Sequence, residues 1–189
     1  MRQLIAVFAL LVSLVACGTH ENASDGTRMQ VQGPYLLMSG TITSRTPANF
    51  ARHLAENPRI DTVVLGQIDG SIDAAATHLM GRQIRKAGLA TELRSGSVVD
   101  SGGVELFIAG VTRRMAPGAA LRVHSWRNGY REGRSFPRQS PKHQMTRRYM
   151  AEMLGNDAFY WFTLQAAPSD EIHEMTAAEI RRYGVLTQP

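Results

Sequence analysis

An α/β fold, with a mostly parallel sheet of βα units and a C-terminal helical segment, is predicted by three observations on this 189-residue sequence. Short apolar runs alternate with stretches of helical period from Tyr35 to Ser125. Gly or Pro closes most of the periodic stretches, as helix ends require. The composition, 43% hydrophobic and 20% charged, suits one domain with a genuine core rather than a disordered chain or a repeat array.

Ahead of the domain, Met1 and Arg2 precede an apolar run from Leu4 to Ala16 that only Ser13 interrupts. The run is shorter than the ~20 apolar residues that span a bilayer, and it fits the apolar core of a secretory leader. Leu14-Val15-Ala16-Cys17 follows at once and resembles the bacterial lipobox, in which the cysteine is lipidated on sulfur and becomes the first residue of the mature protein. Cys17 is the sole cysteine and has no disulfide partner within the chain. Gly18 after it resembles the outer-membrane default. The expectation is a leader over 1–17, a small-residue, polar, flexible tether over 18–33, and one domain over 34–189 held at the periplasmic side of the cell envelope.

Tyr35 to Ile42 reads as the first strand. Thr46-Pro47 supplies an N-cap and a proline at the first helical position, with Phe50, Leu54 and Ala55 on one face before Pro58. Ile60 to Leu65 is a buried strand running into the turn Gly66 to Ser71. A helix follows from about Asp73 to Ala87, with Ala76, Leu79, Met80, Ile84 and Ala87 at helical spacing and Gly88 behind them. Ala90 to Arg94 is a strand, Val104 to Ala109 a short helix, and Ala120 to Ser125 a further strand. A Gly/Arg/Pro-rich loop reaches Lys142, helices are expected near 144–154 and 157–165, and Thr176-Ala177-Ala178-Glu179 is a capping box opening a last short helix.

The formal net charge of +5 is carried almost wholly by arginine, since Lys86 and Lys142 are the two lysines. That usage does not point to nucleic acid. The charge is uneven, because Arg122, Arg127, Arg131, Arg134, Arg138, Lys142, Arg147 and Arg148 are opposed in their segment by Glu132 alone. Such a segment, Arg127 to Arg148, suits either an anionic partner or a solvated face.

The residues that carry chemistry are Ser101-Gly102-Gly103 and His124, set at a strand-to-helix turn and at a strand end. Together with Gly40-Thr41-Ile42, Asp69-Gly70-Ser71-Ile72, Ala109-Gly110, Ala178-Glu179 and Tyr183-Gly184-Val185, their order over Ser39 to Val185 resembles the Clp protease proteolytic subunit within the crotonase-like superfamily, and within it the divergent exported members. That resemblance implies Ser101 as nucleophile, His124 as general base, the N–H groups of Gly70 and Gly102 as oxyanion donors, and Asp170 as the third member, aligned with a shift of about two residues. Asp100 is a second carboxylate within reach of His124. Asp69 replaces the first glycine of the oxyanion turn.

Each residue also has a plainer use. Ser101 serves equally well as a helix N-cap, His124 as a structural hydrogen-bonded histidine, and the glycines as conformational necessities. His53, His78, His143 and His173 show no ligand-like pairing, so no metal and no cofactor is expected. The resulting expectation is a lipid-anchored serine hydrolase of peptides or esters. The alternative is a catalytically degenerate binding or scaffold lipoprotein of the same fold. Coenzyme A-dependent chemistry is a weaker third reading for an exported chain, and the resemblance leaves a homo-oligomer open.

Overall fold

A computed structural model describes residues 26–188. The leader, Cys17 and residues 18–25 of the expected tether lie outside the described residues. Part of the stretch expected as tether is structured: Thr27–Gln32 form β1, paired antiparallel with β2 (Tyr35–Ile42). The small, polar composition hid an alternation in which Thr27, Met29 and Val31 face inward.

After β2 come α1 (Thr46–Glu56), β3 (Thr62–Ser71), α2 (Ala74–Lys86), β4 (Ala90–Leu93), β5 (Val98–Asp100) and α3 (Gly102–Phe107). Then follow β6 (Arg113–Met115), β7 (Ala120–Val123), the hairpin β8 (Arg127–Asn128) and β9 (Arg131–Glu132), α4 (Gln144–Leu154), α5 (Ala158–Ala166), β10 (His173–Glu174) and α6 (Ala177–Arg182). The main sheet runs β1-β2-β3-β5-β7-β10, with β4 and β6 branching from β3. Its pairings are parallel except β1 with β2 and β7 with β10.

The branch arises at β3, which is long enough to serve two neighbours. Its Thr62 to Val64 pair with β4, and its Gln67 and Ile68 pair with β5. The sequence predicts one strand ahead of Ser101, but a turn at Ser95-Gly96, with Gly96 at φ +81°, divides that stretch into β4 and β5. β3, β5 and β7 then lie side by side and end together, at Gly70-Ser71, Asp100 and Val123. Ligands gather at the carboxyl ends of strands in open parallel sheets.

Two helices differ in detail from the expectation. The α1 N-cap is Arg45, because the Thr46 hydroxyl accepts from Thr43 N–H instead of capping. In α2 the inward stripe is Thr77, Met80, Gly81 and Ile84, with Leu79 exposed and Asp73 accepting from Ala76 N–H as N-cap. The capping box at Thr176 and Glu179 is present in both directions.

The core gathers Phe50, Leu65, Ile68, Met80, Phe107, Leu121, Tyr149 and Phe159 among others, all buried. Apart from Glu105, α3 is buried on every side, the mark of a central helix. Each large apolar side chain so buried contributes about 1.5–3 kcal/mol. Gly103 permits the close approach, since a Cβ there would lie 2.6 Å from Ile68 Cγ2. Among the described residues no helix is long and apolar enough to cross a membrane.

Candidate active site

Ser101 is the junction between β5 and α3. Its backbone has φ +49° and ψ −114°, and among the described residues no other non-glycine residue has a positive φ. A side chain in this region costs on the order of 1–3 kcal/mol and persists only where the surroundings impose it. They do so here: Ser101 N–H donates to Arg122 carbonyl on β7 at 2.9 Å, and its own carbonyl accepts from Val104 N–H at 2.9 Å. A serine on such a strained strand-to-helix turn presents its hydroxyl at the top of the sheet. The plain N-cap role is not realised, because the Ser101 side chain makes no capping hydrogen bond.

The end of β3 closes on this turn. A Cβ on Gly70, which sits at φ +96°, would lie 3.4 Å from Ser101 Cβ, and one on Gly102 would lie 2.6 Å from Ser71 Cβ. Ser71 is held by its own contacts, accepting from Thr77 Oγ1 at 2.7 Å and from Asp73 N–H at 3.0 Å. The structure therefore brings Gly70, Ser101 and Gly102 together. As the first residue of α3, Gly102 carries one of the N–H groups left without an intrahelical acceptor. Asp69 is exposed and lines neither cavity at Ser101, so the charge it adds is directed to solvent.

His124 follows β7 and shares a small enclosed cavity of about 30 Å³ with Ser101. Its Nδ1 lies 2.8 Å from Ser125 carbonyl oxygen. A carbonyl only accepts, so the proton belongs on Nδ1 and the lone pair of the neutral ring on Nε2, the form a general base requires. Ser101 Oγ and His124 face one cavity without a hydrogen bond between them.

The third-member assignment does not match the hydrogen bonding. The 167–174 stretch does run beside His124, with Ser125 N–H donating to Ala167 carbonyl and His173 paired with Val123, but Asp170 itself is exposed and makes no bond to His124. The neighbouring Ser169 is taken by Glu132, whose carboxylate accepts from its N–H at 3.2 Å and from its hydroxyl. Asp100 is engaged by Arg122 in a two-pronged pair at 2.6 and 2.8 Å. The backbone carbonyl of Ser125 occupies the position facing Nδ1.

Sequence reading missed Glu105, the one carboxylate lining both the enclosed cavity and the larger groove of about 400 Å³ that opens from Ser101. The available signal was an acid inside the otherwise apolar run Gly103 to Ala109. Its Oε2 lies 2.6 Å from Nε2 of His78, which is buried on α2 and stacked on Tyr149 at 4.3 Å. A carboxylate with only 14% of its side chain exposed is stabilised by such a partner. Tyr149 donates to Glu105 carbonyl at 2.7 Å, and burial, then the nearby Glu105 charge, push its hydroxyl well above the ordinary value so that it stays a donor.

Lys142 was also missed as a site residue. It lines the same groove as Ser101, with Arg127 and Met145 nearby. The basic run is thus not one patch: Arg122 is paired with Asp100, Arg147 faces Asp157, Arg127 and Lys142 border the groove, and Arg138 lies over Trp161. Among the described residues no cluster of three or more His, Cys, Asp or Glu side chains is arranged to hold a metal ion.

No family model and no curated protein matches the sequence. Solved structures do match it in shape. ClpP1 from Listeria monocytogenes, as an asparagine-to-aspartate mutant, aligns with a TM-score of 0.58 at 15% identity over 82% of this chain and 89% of that one. The fold is Clp protease-like. The 1510-N membrane-bound stomatin-specific protease aligns with a TM-score of 0.54 at 17% identity over 80% of this chain, as a lysine-to-alanine mutant in complex with a substrate peptide (71% of that chain) and as a serine-to-alanine mutant (75%).

Proposed function

We propose that this protein is a serine hydrolase acting on peptide or ester acyl groups, anchored to the bacterial envelope through a lipid on Cys17. The observation that carries the hydrolase reading is the left-handed backbone of Ser101 at the mouth of a groove, with His124 and Gly70 beside it. Ser101 Oγ attacks the acyl carbonyl while Nε2 of His124 accepts its proton. The N–H groups of Gly70 and Gly102 receive the oxyanion, the departing group takes the proton back, and water then releases the acyl group by the same steps in reverse. Fold likeness to two proteases supports this class of reaction by analogy only. The leader pattern supports the anchoring, with the domain facing the periplasm and the outer membrane as its destination.

A second assignment of the base is favoured by Lys142, which borders the groove at Ser101. It also accords with the lysine mutant in which the stomatin-specific protease was captured with peptide. Labelling of the full chain by a fluorophosphonate decides between the two. Labelling should vanish in Ser101→Ala. Loss of about 100-fold or more in His124→Ala, with Lys142→Ala close to wild type, fits the histidine base; the reverse pattern assigns Lys142. An unlabelled, folded wild type overturns the hydrolase reading in favour of a catalytically silent binding lipoprotein.

A further inference from the structure

The face of α5 turned away from the active site borders a groove that none of the chemistry above uses. Phe159, Tyr160 and Thr163 of α5 line the enclosed cavity at Ser101, whereas Trp161 and Phe162 line an open groove of about 860 Å³ on its other side. Tyr183 completes the aromatic floor, stacked on Phe162 with centroids 4.6 Å apart. Arg138 stands over Trp161 at 4.1 Å, and Arg181 and Arg182 come in from the end of α6. None of these three guanidinium groups has an ion-pair partner among the described residues. The acid in the groove is Asp157, which accepts from Trp161 Nε1 at 3.1 Å and lies 3.8 Å from Arg147.

We infer that this groove binds an acidic peptide segment whose carboxylates meet Arg138, Arg181 and Arg182, with an apolar or aromatic side chain resting on Trp161, Phe162 and Tyr183. Guanidinium groups match carboxylates in a two-pronged geometry. A volume of this size is in the range that takes a ligand of several heavy groups. Asp157, whose Oδ2 accepts from Trp161 and faces Arg147, gives the wall an acceptor for a peptide N–H group. The basic segment supplies only Arg138 to this site; the other two cations come from α6, which no reading of Arg127 to Arg148 includes.

The test is fluorescence anisotropy of the full chain with a labelled short peptide of alternating glutamate and tyrosine, alongside a lysine and tyrosine counterpart and a single-stranded oligonucleotide. The expected result is saturable binding of the glutamate peptide alone, weakened about fivefold by each of Arg138→Ala, Arg181→Ala and Arg182→Ala and further by added salt. All three arginines are exposed, so thermal melting should confirm that the variants remain folded. Equal affinity across the variants, equal binding of the oligonucleotide, or the absence of saturable binding would overturn the inference. So would self-association that Arg182→Glu abolishes, which would make a second copy the occupant.

Discussion

Ser101 holds a strained backbone conformation that its hydrogen bonds to Arg122 and Val104 impose and that the proposed nucleophile role would use. A glycine at this position would adopt φ +49° and ψ −114° without a Cβ conflict, at a cost of about 0.5–1 kcal/mol in chain entropy against ~1–3 kcal/mol of strain relieved. Ser101→Gly should therefore be more stable than Ser101→Ala by about 1 kcal/mol, or roughly 2–4 °C in Tm for a domain of this size. Both variants should be inert to the probe. A glycine variant less stable than the alanine one in urea titrations would show that the turn is not strained. At His124 the Ser125 carbonyl, 2.8 Å from Nδ1, fixes the tautomer, though as a neutral group it lacks the charge by which a triad carboxylate stabilises the imidazolium.

At the scale of elements, α2 and α4 meet where Gly81 leaves room for Tyr149. A Cβ on Gly81 would lie 1.8 Å from the Tyr149 hydroxyl and 2.7 Å from Cζ, and that hydroxyl is the donor to Glu105 carbonyl. Gly81→Ala is expected to destabilise the fold by about 1–3 kcal/mol or more. Tyr149→Phe should cost about 1–2 kcal/mol through the lost bond to a buried carbonyl. The double variant should cost less than the sum of the two, because the closest clash is with the oxygen removed; a strictly additive double-mutant cycle would refute this packing. This contact was not legible in the sequence, where nothing ties Gly81 to the distant Tyr149. What was legible followed local rules: the βα alternation, the capping box at Thr176 and the placing of Ser101 and His124 on adjacent strands. β1 was hidden by its small, polar composition although its partner β2 is the next segment of chain. The rest depended on partners remote in sequence: β6 needed β4, and Glu105 is intelligible only once α2 brings His78 against it.

At the scale of the molecule, the segment flanking His124 is fastened by two carboxylates, and this gives stability a defined dependence on pH. Glu132, on β9, is held below the ordinary carboxylate range by the Ser169 hydroxyl, against an opposing effect of burial, with Ser169 N–H and the Ser125 hydroxyl adding to the lowering. Glu179, on α6, is raised by burial but brought below its ordinary value by His173 and by the N–H and hydroxyl of Thr176. A carboxyl whose pKa is lower in the folded state binds its proton more tightly when unfolded. Its contribution is complete above the unfolded value of about 4.3 and is lost as pH falls through the folded one. Stability should thus change little through these groups from neutrality to about pH 5 and decline below it. Glu132→Gln and Glu179→Gln should be less stable than wild type at neutral pH, with the difference shrinking towards pH 3. Because the remaining carboxylates are common to all three proteins, the difference in urea midpoint isolates these two fastenings. A gap that stays constant with pH would mean that they hold the 169–179 strap by shape rather than by charge.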